Sequence, residues 1–141
     1  MVSMQTVSNL AKDFTKCGVR FTLDGITQNL GSTRTASVFV PEYGPFQVRA
    51  KSSDFEVIRQ VFRDRGYHFN SAPYQAAIQN AYRKIIADGG VPVIIDAGAN
   101  IGAAARWFHK QFPQAAIVAI EPDPQNAMLA RANCEAIPTI E

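Results

Sequence analysis

Apolar side chains recur along this chain with helical spacing in some stretches and as unbroken runs in others, and each pattern predicts its own elements. Val7, Leu10, Ala11 and Phe14 stand at i, i+3, i+4 and i+7, one face of a short helix that Cys17-Gly18 would end. From Ser32 to Ala50 the spacing changes. Ser37–Val40 and Phe46–Arg49 read as short strands joined by the turn-rich Pro41-Glu42-Tyr43-Gly44-Pro45, a hairpin. Ser52, Ser53 and Asp54 then offer caps for a helix carrying Phe55, Ile58, Val61 and Phe62 and stopping near Gly66.

The second half is more regular. Tyr74, Ala77, Ile78, Ala81, Tyr82, Ile85 and Ile86 keep helical spacing until Gly89-Gly90 supplies a stop. Val91–Asp96 and Ala116–Glu121 are short, apolar, β-branched runs, the pattern of strands buried on both faces of a parallel sheet. Between them Ile101, Ala104, Ala105, Phe108 and Phe112 mark one helical face. After them Pro124, capped by Asp123, opens a third helix through Ala127, Met128, Leu129 and Ala130 toward Cys134.

Composition narrows the classes. The chain has 141 residues, a single-domain length, and with 47% hydrophobic and 18% charged residues it is neither disordered nor fibrous. A net charge of +2 with no basic tract points to no nucleic-acid partner. Two distant cysteines, Cys17 and Cys134, build neither a disulfide framework nor a zinc site, so the expected setting is reducing and cytoplasmic. No signal peptide is readable at the start, and the longest aliphatic run, Ala115–Ile120, falls far short of the ~20 residues of a membrane span.

The chemistry concentrates in Asp96-Ala97-Gly98-Ala99-Asn100-Ile101-Gly102, which joins the first buried strand to its helix. Glycines there let a ligand approach the backbone at the carboxyl end of a strand, where open α/β sheets bind ligands. Glu121 closes the next strand 23 residues after Gly98, near the ~20-residue offset of an acid that accepts ribose hydroxyls. A dinucleotide fingerprint begun at Gly98 would need glycine where Asn100 and Ala103 stand. Losing the middle glycine argues against a pyrophosphate, and an acid two places before Gly98 favours a cofactor with an amino-acid tail. S-adenosylmethionine has that shape.

The segments VIIDAGANIGAAARWF and IVAIEPDPQNAMLARAN, with VRAKSSDFEVIRQVFRDRGYHF ahead of them, resemble the FkbM-type family of S-adenosylmethionine-dependent methyltransferases over roughly residues 46 to 135. The resemblance implies methyl transfer to a hydroxyl of a sugar, polyketide or similar small molecule or glycan. It implies an α/β fold: a Rossmann-like class I methyltransferase sheet, here truncated after the second core strand. Residues 73–141 would be the first part of that cofactor domain, and 1–72 a small α+β accessory region. By the same resemblance Gly98, Ala99 and Gly102 line the cofactor, Asp96 and Asn100 hold the loop or the methionine end, and Glu121 holds the ribose. Asp123 and Asn126 are adenine-side candidates, and no catalytic base or metal ligand is assigned.

Two rival readings use the same residues. An NAD-dependent oxidoreductase would share the strand, loop and terminal acid. A non-catalytic fragment would self-associate through the sheet edge that truncation exposes. Beside these, Trp107 and Phe108 read as core, His68 and His109 as packing or solvated residues, and Arg63-Asp64-Arg65 as a solvated helix end, while Tyr67 carries no assigned role.

Overall fold

A computed structural model describes residues 4–30, 35–68 and 71–141. The start of the predicted hairpin stretch, 32–34, and Phe69 of the family-like segment lie outside the described residues. The chain packs as two compact units, Met1–Gly66 and Tyr67–Glu141. Together they make a mixed α/β fold whose described residues contain five α-helices and two small sheets, one of them parallel.

In the first unit, α1 (Met4–Leu30) breaks its helical geometry at Gly18, where φ is 83°. The expected stop at Cys17-Gly18 is thus a change of direction, after which helix resumes. The buried line of α1 is Asp13, Cys17, Phe21 and Gly25. The face predicted from Val7, Leu10, Ala11 and Phe14 is not the inner one, since Val7 and Phe14 are each 57% exposed. The hairpin forms as read but longer, with β1 (Thr35–Val40) antiparallel to β2 (Gly44–Arg49). Its turn is of type II: Pro41 leads, Glu42 takes φ 68°, and the Tyr43 N–H donates to Val40 O at 3.1 Å.

α2 (Asp54–Ile58) begins where the serines predicted, but its side chains divide the work differently. Ser53 makes no capping bond, Ser52 Oγ accepts from the Asp54 N–H, and Asp54 is fully buried against Arg49. Burial works to raise the Asp54 carboxyl, and the Arg49 hydrogen bonds outweigh it, so its pKa lies below the ordinary value. The helix runs on as a π-helical turn, Arg59–Arg63. The wider turn carries two guanidinium groups inward, and both bond Asp13: Arg59 at 2.6 Å and Arg63 at 3.0 Å. Arg63 is therefore a buried ion-pair residue and not part of a solvated helix end. Around this network Phe21, Val38, Val40, Phe46, Val48 and Ile58 form the apolar core.

In the second unit α3 (Ala72–Ala87) ends on the predicted glycines. Gly90 N–H donates to Ile85 O at 2.9 Å and Gly89 N–H to Ile86 O at 3.0 Å, with Gly89 at φ 79°, a Schellman stop. No residue of α3 is fully buried. β3 (Val93–Ala97) then pairs in parallel with β4 (Ala116–Ile120), with α4 (Ala103–Gln111) between them and α5 (Pro124–Cys134) after β4. Ala105, Ile117 and Cys134 form the core of this unit, with Ile94, Phe108, Ala119 and Ile140 packed on it. Trp107 is buried, and Tyr67, His68 and Phe108 surround its ring.

Two expectations for this sheet are corrected. Its strands are covered on one face only: the pleat alternates side chains, and Val93 and Ile95, on the face away from that core, are 63% and 66% exposed. The pairing also does not stop at the second strand. Ile117 bridges Ile140 in parallel, Ile117 N–H donates to Thr139 O at 2.7 Å, and Ala119 N–H to Glu141 O at 2.7 Å. Residues 139–141 thus begin a third parallel pairing beside β4.

Candidate functional site

The site grows from the way the β3–α4 loop is tied down. Three backbone positions in it lie in the left-handed region, Gly98 (φ 87°), Asn100 (φ 51°) and Gly102 (φ 80°), so the chain reverses within a few residues. The amides this exposes are taken up in order. Gly98 N–H and Ala99 N–H both donate to Ile120 O, at 2.8 and 3.0 Å, and Gly102 N–H donates to Ala99 O at 2.8 Å. Asn100 N–H donates to Glu121 Oε2 at 2.8 Å. The other Glu121 oxygen, Oε1, accepts the Asp123 N–H at 2.9 Å.

Asp96 sits at the base of the loop with only 6% of its surface exposed. The Ala105 N–H in the first turn of α4 donates to its carboxylate, supplying the cap that Gly102 cannot. Among the described residues its Oδ2, which is buried, has no hydrogen-bond partner. Burial raises the Asp96 carboxyl pKa above its ordinary value, against the opposing pull of the Ala105 amide. Tyr67 lies close enough to feel this charge: burial first, and Asp96 second, push its phenol upward.

The remaining predicted residues fall into distinct places. Gly98 is exposed, and a side chain built on it would meet open space. Ala99 is buried. A Cβ on Gly102 would sit 2.8 Å from Cys134 Sγ and 3.2 Å from the Ala130 backbone, so this glycine lets α5 approach the loop. Asp123 Oδ1 accepts from the Gln125 and Asn126 amides, both at 2.9 Å, the helix cap expected from Pro124. Asn100, Glu121 and Asp123 therefore meet at one carboxylate, while Gly102 faces the helix packing.

Sequence reasoning missed Asn133. It is buried in α5, and its Nδ2 donates to Ile101 O at 2.9 Å, holding the loop from the helix side. A polar residue on the inward side of a helix was the available signal. Below it Cys134 donates to Gly102 O at 3.7 Å, and burial pushes its thiol pKa up to about 11. Beside the loop, Ala99 and Glu121 share a cavity of about 670 Å³ with Ala127, Arg131, Ile137 and Glu141. That volume is in the range of small-molecule sites.

Among the described residues no three His, Cys, Asp or Glu side chains gather as a metal site, and no helix is long and apolar enough to cross a membrane. Compared with models of known protein families, with curated proteins and with solved structures, the chain matches none of them.

Proposed function

We propose that this chain carries the cofactor-binding part of an S-adenosylmethionine-dependent methyltransferase acting on a hydroxyl of a sugar or secondary metabolite. The observation that carries the reading is the meeting of two elements: the Glu121 carboxylate at the end of β4 reaches the β3–α4 loop, 2.8 Å from the Asn100 nitrogen. This contact between the acid read as a ribose acceptor and the glycine loop, beside a cavity of about 670 Å³, supports the reading.

The residues present fit the cofactor. The unpartnered buried oxygen of Asp96 is an acceptor suited to an ammonium group such as that of an amino-acid tail. Each Glu121 oxygen gives one lone pair to the backbone and keeps another for a ribose hydroxyl. Gly98 leaves the approach to the loop open. When bound, the cofactor supplies a methyl group on a sulfonium, and the protein's share of such an in-line displacement is alignment.

The spent amides weigh against the oxidoreductase reading. Gly98, Ala99, Asn100 and Gly102 all donate to the chain's own oxygens, so these N–H groups are not aimed at a pyrophosphate. A non-catalytic, self-associating module is supported by the exposed apolar side chains of β3, Val93 and Ile95.

Calorimetric titration of S-adenosylhomocysteine, with NADH in parallel, tests the proposal. Saturable binding of the former alone, weakened at least tenfold in Asp96→Asn, is the expected result. A folded chain that binds NADH, or neither compound, would sink it.

A further inference from the structure

Glu121 stands in the proposed site as a ribose acceptor, yet its geometry describes another task. Asn100 holds φ 51°, a left-handed conformation that few residues with a Cβ adopt and that asparagine tolerates better than most. It is held by the Glu121 Oε2 bond to its amide and the Asn133 bond to the carbonyl of the next residue, Ile101. The same carboxylate holds, through Oε1, the amide of Asp123, the N-cap residue of α5. One side chain therefore staples the loop after β3 to the entry of α5, through two bonds that both lie within the chain. A bond to an ionised acceptor is roughly twice as strong as a neutral one, so a carboxylate is suited to the task.

We infer that Glu121 is a positioning residue, which sets the 98–100 loop in its ligand-ready shape before a nucleoside arrives. The inference rests on the proposed methyltransferase reading for the ligand, but the staple itself consists of bonds within the chain. A pure ribose contact and a staple make different demands on the variants. A ribose contact matters only to ligands that carry the hydroxyls. The staple matters to any ligand that uses the loop, hydroxyls or not. Glutamine retains one acceptor oxygen and turns the other into an amide donor, so it can keep one of the two bonds but not both.

The experiment has two arms, with Glu121→Ala and the near-isosteric Glu121→Gln each checked for folding by circular dichroism. In the first arm, amide hydrogen exchange is followed in the ligand-free chain. The Asn100 amide should exchange at least tenfold faster in Glu121→Ala than in the parent, with Glu121→Gln between them. In the second, calorimetry compares S-adenosylhomocysteine with its 2′,3′-dideoxy analogue. The staple predicts that Glu121→Ala weakens the dideoxy analogue as well, by at least tenfold. Equal affinity of parent and variant for that analogue, or unchanged exchange at Asn100, would overturn the positioning role. If the parent binds neither nucleoside, the cofactor reading is what has failed, and exchange at Asn100 alone decides whether Glu121 holds the loop.

Discussion

Asp96 shows how one buried side chain can cost stability. Its carboxyl holds a proton more tightly in the folded chain than in the unfolded one, because burial penalises the charge. A raised carboxyl stabilises the fold below the ordinary carboxylate pKa of about 4, and that contribution is lost as pH rises through the raised value. Asp96→Asn keeps an acceptor for the Ala105 amide and has no charge to bury. Its stability relative to the parent should therefore improve between about pH 4 and pH 7. Urea midpoints of the two proteins at those pH values measure this, and a difference that does not change with pH would contradict the assignment. At this scale the sequence was partly legible. Glu121 and the loop glycines were visible from spacing, and Asp123 from the proline after it. The orphaned oxygen of Asp96 was not, since it arises from the register that turns that residue inward.

Among the elements, the join between α1 and the π-helical turn depends on one carboxylate. Asp13 is fully buried and receives both Arg59 and Arg63. Each arginine has a second acid, Glu56 or Asp64, on the more exposed side. Asp13→Ala would leave two buried cations short of an acceptor, a loss on the order of 3 kcal/mol for a broken buried pair. Chemical denaturation followed by far-ultraviolet circular dichroism should show that loss. A change below about 1 kcal/mol would mean that Glu56 and Asp64 suffice. Here hydropathy misled, because the inward stripe of α1 begins with an aspartate whose partners lie 46 and 50 positions on. The break at Gly18 and the π turn carry no periodic signature. The α3 stop, β3, α4, β4 and α5 were legible because each is specified within a few consecutive residues.

At the scale of the whole molecule, the exposed face of the parallel sheet contributes apolar surface. Val93, Ile95, Val118 and Ile120 present apolar side chains to solvent on that face. Patches of this kind promote association and bind hydrophobic dyes. Ile95→Thr keeps a β-branched side chain in the strand and removes apolar surface, so stability should stay within about 0.5 kcal/mol. Fluorescence of 8-anilinonaphthalene-1-sulfonate should fall at least twofold. Unchanged fluorescence would place the dye, and the stickiness, elsewhere.

The third parallel pairing has a meaning for how the second unit is made. Val93 pairs with Ala116 and Ile117 with Ile140, separations of 23 residues in each case (116 − 93 and 140 − 117). Closing two loops of equal length costs the same entropy, since that cost depends on length. Strand order in space follows strand order in the chain, β3 then β4 then 139–141. As the polypeptide leaves the ribosome, each new strand finds its partner already delivered and adds at the open edge. No earlier pair has to part to admit a later one.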